Sequence, residues 1–325
     1  MKAAETLGLD PLAGDMERVE AALRHNISAD GRILDDAAGH LVTAGGKRLR
    51  PTLTLCSAYA ATDGDRPVSD DAVTGAAAVE LVHLGSLYHD DVIDEAATRR
   101  GVASVNARWS NIVAILAGDF LLARASELAA SLGADVAGLL AATIGELCSG
   151  QVLELQHLFD IDRTEDSYVS AIEGKTASLM ATACRIGGMV TDLDSDDLDA
   201  VTEFGRHVGM CFQIVDDVLD LTGTDEALGK PAGQDLTEGI YTLPVIYALR
   251  DSERLRSLLG KPLEADDVLT ARGIVTSNGS VGFAYDVARS HAKRADEALG
   301  QAGALDPTVS AGLRRLVEDL VDRVS

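Results

Sequence analysis

The sequence predicts an all-α fold, and three observations predict it. Apolar residues recur at three- and four-residue steps through most of the 325-residue chain. Aromatic residues make up only 4% while Ala, Leu and Val are abundant, a composition that suits close-packed helices better than sheets. Convincing strand alternation is absent. No low-complexity linker or short-period repeat divides the chain. With 46% hydrophobic residues it can bury a large core, and residues 1–325 read as a single domain, although the length alone would permit two.

Each element follows from its own stretch. The N-terminus "MKAAETLGLDPLAGDMERVE" contains no apolar signal core. "VTGAAAVELVHLGSLYHDDVID" places Val73, Ala76, Ala77, Glu80, Leu81, Leu84 and Leu87 at helical steps. "NIVAILAGDFLLARASELAASL" is apolar almost to its end, which predicts burial on most sides. "VAGLLAATIGELCSGQVLELQHLF", "SYVSAIEGKTASLMATACRIGGMV" and "DLDAVTEFGRHVGMCFQIVDDVLDL" continue the helical pattern. From about Leu243 the helices are shorter, with "GKP" and "GALDP" as breaks. The loop "GTDEALGKPAGQDLTEGIYTLP" is long and glycine-rich, and loops of that length are often functional. No apolar run is expected to cross a membrane. Cys56, Cys148, Cys184 and Cys211 are too far apart in sequence for a CxxC-type metal pair and read as small core residues of a reduced, cytosolic protein.

The formal net charge of -24 opposes binding to nucleic acid or anionic lipid. A phosphorylated ligand would be repelled as well unless clustered cations or bound metal received it. Most of the acids serve solubility. Two groups do not fit that role. Asp90, Asp91 and Asp94 form D-D-x-x-D at the end of an apolar helix, and Asp216, Asp217 and Asp220 repeat the spacing at the end of another. First and last acids four apart share a helical face, so their charges repel, and partial burial makes ionisation harder still. A divalent cation removes the difficulty. Carboxylate oxygens without Cys or clustered His suit Mg²⁺, which fills its octahedron with water and phosphate oxygens.

Cations beside glycines and acids extend a metal site toward a diphosphate site. "GGKRLRP" supplies Lys47 and Arg50, Arg99 and Arg100 follow the first acidic motif, "EGKTASL" supplies Lys175 and Thr176, and "LGKPAGQDL" supplies Lys230. Singly these are ordinary surface groups; together they could hold two phosphorylated ligands. His83 lies seven residues before Asp90, on the same side of the helix about 10 Å lower. Gln213 precedes Asp216, Asp217 and Asp220 by three, four and seven residues and shares their face. A dinucleotide fingerprint, a Walker lysine motif, HExxH and a nucleophile elbow are all absent from the sequence.

With these residues in view, the chain resembles the trans-isoprenyl diphosphate synthases, or polyprenyl synthetases, from "GGKRLRP" to "GKPAGQDLTEGIYTLP". The resemblance implies an all-α helical bundle around a deep central cavity, usually a homodimer. It implies that the two Asp motifs hold Mg²⁺, three ions with bound substrate, bridging an allylic diphosphate such as geranyl, farnesyl or geranylgeranyl diphosphate. Arg99, Lys175, Thr176, Gln213 and Lys230 match positions that contact that substrate, and Lys47, Arg50, His83 and Arg100 match positions that bind isopentenyl diphosphate. The catalytic set so implied is Asp90, Asp91, Asp94, Arg99, Lys175, Asp216, Asp217 and Lys230. Many relatives carry a further lysine where this chain has Ile240 or a neighbour, which removes one phosphate contact.

The family measures its product with side chains below the first motif. Here Gly85 and Ser86 are small, Val82 lies a further turn down, and Tyr88 is rotated away by about 200°. The tunnel top therefore reads as open and the product as longer than twenty carbons, unless residues around Ile112 to Phe120 close it lower down. Such a product would partition into membrane. A shorter-chain farnesyl or geranylgeranyl diphosphate synthase, a class I terpene cyclase and a non-catalytic subunit of a heteromeric synthase are the alternatives. The cyclase fits poorly because its second metal motif normally carries Asn/Asp, Ser/Thr and Glu. The subunit fits poorly because both motifs and nearly all the cations are retained. A metal-storage role leaves the cations unaccounted for.

Overall fold

Helices form wherever the sequence repeats apolar residues at three- and four-residue steps. The computed structural model describes residues 7–29, 31–60, 64–224, 231–303 and 305–322. They fall into two compact units, one from Met1–Ile144, Leu179–Gly205 and Ala298–Leu316, the other from Gly145–Ser178, Arg206–Glu297 and Val317–Ser325.

The first unit contains α1 (Leu12–Asn26), α2 (Arg32–Thr43), α3 (Leu49–Ala60), α4 (Asp70–Ile93), α5 (Val105–Arg108) and α6 (Asn111–Ser131). Ser69 and Ser110 begin α4 and α6 by accepting hydrogen bonds from Ala72 N and Val113 N, which satisfies donors the first turn leaves over. α4 is the centre of this unit. It packs against α1, α3 and α6, burying Ala76, Ala77, Val79, Leu81, Val82 and Leu84 completely.

The sequence expectation for α6 needs correction. Its small residues Ala114, Ala117, Gly118, Ala125 and Ala129 are buried together with Leu121, while Ile112, Ile115 and Leu116 are 71%, 43% and 57% exposed. A strip of Ala and Gly allows α4 and α6 to approach closely, and that leaves the larger aliphatics on the outside.

Between α4 and α5 the chain makes a hairpin of two two-residue strands, β1 (Thr98–Arg99) and β2 (Val102–Ala103), paired antiparallel with Arg99 opposite Val102. The strands are too short to show alternation in sequence. Both turn residues have positive φ, Arg100 at 53° and Gly101 at 77°, the form a two-residue hairpin loop favours.

The remaining helices are α7 (Ala134–Gln156), α8 (Glu165–Ile172), α9 (Ser178–Met189), α10 (Ser195–Thr222), α11 (Gln234–Glu238), α12 (Leu243–Ala248), α13 (Glu253–Leu258), α14 (Ala265–Ser277), α15 (Ser280–Gln301) and α16 (Pro307–Asp322). α7, α10, α15 and α16 contribute residues to both units. The core of the second unit gathers Tyr168, Ile172, Ile214, Val218, Tyr241, Leu243 and Val245. A π turn, Glu173–Ala177, joins α8 to α9.

Two further expectations change. Cys56, Cys184 and Cys211 are buried as free thiols, but Cys148 is exposed on α7. α7 is also long and apolar enough to cross a membrane, with a mean hydropathy of 1.5 over its most apolar window, of which 22% is buried. It nevertheless ends with Glu154 almost wholly buried, at 4% exposure.

Candidate active site

The first acidic motif occupies the last turn of α4, with Asp94 as the C-cap residue. Acids there face the negative end of the helix dipole, so the position itself favours a cation. Asp90 is half-buried, Asp91 fully buried and Asp94 exposed. Asp91 Oδ1 accepts a 2.7 Å hydrogen bond from Arg99 Nε, while its enclosed Oδ2 has no hydrogen-bond partner. Burial raises the Asp91 carboxyl above the ordinary range, and the Arg99 charge opposes that rise. The hairpin thus brings Arg99 back onto the motif it follows in sequence.

Arg100, the next residue, turns the other way. Its Nη1 donates to the carbonyls of Gly45 and Leu41, so its guanidinium lies under the glycine pair of "GGKRLRP". A Cβ on Gly46 would sit 2.8 Å from Arg100 Nη1 and 2.9 Å from Cζ, which explains why that position has no side chain. Arg50 lies within electrostatic reach of Glu80 and Arg100, and its enclosed Nε has no hydrogen-bond partner. Burial, reinforced by the Arg100 charge, lowers the Arg50 guanidinium to about 10, against the pull of Glu80. His83 is held neutral, first by burial and then by Arg50, Arg100, Arg48 and Arg99. Lys47 is exposed. The first unit therefore brings together Arg50, His83 and Arg100, residues far apart in sequence.

Sequence reasoning missed the two groups that organise this cluster. Arg48, at φ 48°, donates to Glu80 Oε1 at 2.8 Å, to Glu20 Oε1 at 2.6 Å and to Val42 O at 3.1 Å. Glu80 is 1% exposed. An acid within the apolar run "AAAVELV" was the available signal, since a carboxylate is seldom fully buried without a partner.

The second acidic motif closes α10. Asp216 is exposed, whereas Asp217 and Asp220 are buried. Asp217 Oδ2 accepts from Tyr168 Oη at 2.6 Å, and Oδ1 accepts from Gln213 Nε2 at 2.8 Å. Gln213 Oε1 in turn accepts from Thr176 Oγ1 at 2.8 Å. Burial pushes the Asp217 carboxyl up to about 7, while the donors Tyr168 and Gln213 and the Lys175 charge pull it down. Asp220 Oδ2 accepts from Asp235 N at 3.3 Å. The π turn presents Lys175, whose Nζ is paired with Glu154 Oε2. The second unit thus gathers Lys175, Thr176, Gln213 and Asp217, of which spacing alone placed Gln213 with the acids. It adds Tyr168 and Glu154, two partners that only packing reveals. Lys230 lies outside the described residues. Ile240 donates its N–H to Asp235 O at 2.8 Å.

The proposed ruler residues divide. Ser86 is half-buried, its hydroxyl turned back to His83 O at 2.9 Å, and Val82 is fully buried. Tyr88 faces α2, donating to Ala37 O at 2.8 Å. Gly85 meets α6. A Cβ there would lie 3.0 Å from Gly118 O and 3.2 Å from Leu122 Cγ, and a Cβ on Gly118 would lie 2.4 Å from His89 Nε2. A side chain at Gly85 would crowd this close helix crossing, and its neighbours would have to give by a few tenths of an ångström.

Comparison with known proteins shows the family. The family model described as polyprenyl synthetase matches residues 31–273. A nonaprenyl diphosphate synthase of Mycobacterium tuberculosis is 38% identical over 310 residues, covering 94% of this chain and 90% of its own length. A solved polyprenyl synthase of Caulobacter crescentus, complexed with calcium and isoprenyl diphosphate, superimposes with a TM-score of 0.90 at 32% identity, over 98% of each chain. A geranylgeranyl pyrophosphate synthase of Corynebacterium glutamicum gives a TM-score of 0.83 at 38% identity, over 97% of this chain and 96% of its own.

Proposed function

Because the chain belongs to the polyprenyl synthetase family, with its all-α isoprenoid synthase fold, we propose that it is a prenyltransferase that joins isopentenyl diphosphate head-to-tail to an allylic diphosphate and makes an all-trans product longer than twenty carbons. The observation that carries this reading is the cluster of Arg48, Arg50, Arg100 and His83 around Glu80. A chain of net charge -24 that gathers guanidinium groups in one place is built to receive an anion.

The acids of both motifs suit Mg²⁺. Their donors are all carboxylate oxygens, and the enclosed Asp91 Oδ2 lacks a hydrogen-bond partner that a cation would replace. Asp90, Asp91, Asp94, Asp216, Asp217 and Asp220 would hold Mg²⁺, three ions with bound substrate, which would supply Lewis-acid neutralisation of the charge on the leaving diphosphate. Arg99 and Lys175 add cationic charge to that leaving group, each exchanging its carboxylate partner, Asp91 or Glu154, for phosphate oxygens. Thr176, Gln213 and Lys230 complete the contacts to the allylic substrate. Lys47, Arg50, His83 and Arg100 hold isopentenyl diphosphate with its double bond oriented for attack on the allylic carbon. The proton lost in elimination passes to the departing diphosphate, so no side-chain base is required. Ser86 leaves the path below the first motif open for a long chain. The enzyme acts in the cytoplasm as a homodimer, a state supported by the outward apolar face of Ile112, Ile115 and Leu116 on α6.

The purified chain is to be incubated with Mg²⁺, isopentenyl diphosphate and each of geranyl, farnesyl and geranylgeranyl diphosphate, and the products resolved by reverse-phase chromatography. Products beyond twenty carbons are expected. Products that stop at fifteen or twenty carbons overturn the chain length, and cyclised product or an absolute need for a second polypeptide overturns the synthase reading.

A further inference from the structure

The cationic cluster leaves Glu80 without a part in binding, and its surroundings assign it one. We infer that Glu80 is a built-in counter-anion: in the ligand-free protein it balances the arginines that receive isopentenyl diphosphate, and so it limits how tightly they bind that substrate. The inference rests on the reading of the cluster as the isopentenyl diphosphate site.

Glu80 sits on α4 among Ala76, Ala77, Leu81 and Leu84, all fully buried, so nothing but the cluster can compensate its charge from that helix. Its hydrogen bond comes from Arg48 Nη1 at 2.8 Å. Arg48 already has Glu20, reached through Nε at 2.6 Å and Nη2 at 3.4 Å, and spends Nη2 also on Val42 O. A second carboxylate exceeds what Arg48 needs. The neighbours that lack one are Arg50, whose enclosed Nε has no hydrogen-bond partner, and Arg100, whose described hydrogen bonds go to backbone carbonyls. Glu80 is the carboxylate whose charge acts on Arg48, Arg50 and Arg100 alike. A diphosphate bound to Arg50 and Arg100 then competes with a fixed negative charge nearby. This weakens binding, but it keeps buried guanidinium groups together when the substrate has left.

A residue needed only as a hydrogen-bond acceptor for Arg48 would be replaced by glutamine without consequence for binding. A counter-anion would not. The test is calorimetric titration of the full-length chain with isopentenyl diphosphate in EDTA, which removes metal-dependent binding. Relative to the wild type, Glu80→Gln is expected to bind about tenfold more tightly, with a lower melting temperature in the absence of ligand that recovers when isopentenyl diphosphate is added. Glu80→Asp, which keeps the charge, is expected to stay within about twofold of the wild type. Equal or weaker binding by a folded Glu80→Gln protein overturns the inference. If that variant is unfolded alone, refolding at saturating isopentenyl diphosphate supports it and failure to refold overturns it. Absence of binding by the wild type, with Arg50→Gln no different, instead overturns the diphosphate reading on which the inference stands.

Discussion

The two D-D-x-x-D motifs are alike in sequence and differ in how the protein pays for them. Each lies in the last turns of a helix, and each buries its middle acid, Asp91 on α4 and Asp217 on α10. Asp91 is compensated by a full charge, Arg99 at 2.7 Å. Asp217 is compensated by neutral donors, the Tyr168 hydroxyl and the Gln213 amide, with Lys175 acting at longer range. An ion pair can be exchanged when a phosphate arrives to take the arginine. A hydrogen-bonded carboxylate keeps its donors and its orientation. The same spacing therefore supplies one motif compensated by an ion pair and one compensated by hydrogen bonds from neutral donors.

The largest effects that could break this comparison are kinetic. Asp91→Asn and Asp217→Asn are each expected to lower kcat by about 10³-fold or more, read as incorporation of labelled isopentenyl diphosphate at saturating Mg²⁺. Retention of activity within tenfold by either variant would remove that acid from the metal-binding set.

A smaller effect concerns the support of the first motif, which stands just beyond the crossing of Gly85 with Gly118. Gly85→Ala should overpack this contact and cost about 1–3 kcal/mol in denaturant unfolding, with the length of the remaining product unchanged. Ser86→Phe should do the reverse, shortening the product with little loss of stability. If Gly85→Ala shortens the product at full stability, Gly85 lines the path after all.

The smallest effect sharpens the contrast at Asp217. Its folded carboxyl stands at about 7, above the ordinary carboxylate value near 4 that it regains on unfolding. Between these values the folded state binds the extra proton, so this group's contribution to stability falls as pH rises from about 4 through about 7. In EDTA, Asp217→Asn should flatten the pH dependence of the melting temperature over that window. Tyr168→Phe removes a donor to the ionised form, so it should move the window upward and raise the half-saturating Mg²⁺ severalfold at pH 7. A wild-type curve whose slope is unchanged by Asp217→Asn would show that the carboxyl titrates normally.

Much of the site was legible because its chemistry is local. Asp90, Asp91 and Asp94, like Asp216, Asp217 and Asp220, share a helical face by spacing alone, and Gln213 falls on that face for the same reason. The helical class was equally legible, since a period of three to four residues is a property of one segment. What stayed hidden depends on a second segment. Glu154 has meaning only because the π turn sets Lys175 against it, and Tyr168 only because α8 lies beside α10. α6 misled because apolar composition shows that a helix avoids water, but not which of its faces a neighbour covers.

The sequence by itself determined the helices, the two acid triplets and the kinds of cation that accompany them, because helix periodicity and charge are written in short stretches. Only the tertiary structure decided how those charges are balanced. Arg99 turns to Asp91 and Arg100 to the Gly45 carbonyl because Arg99 ends a strand while Arg100 sits in the hairpin turn at positive φ. It also decided that Gly85 sits at a close helix crossing, since the distance between two backbones is a property of neither helix alone.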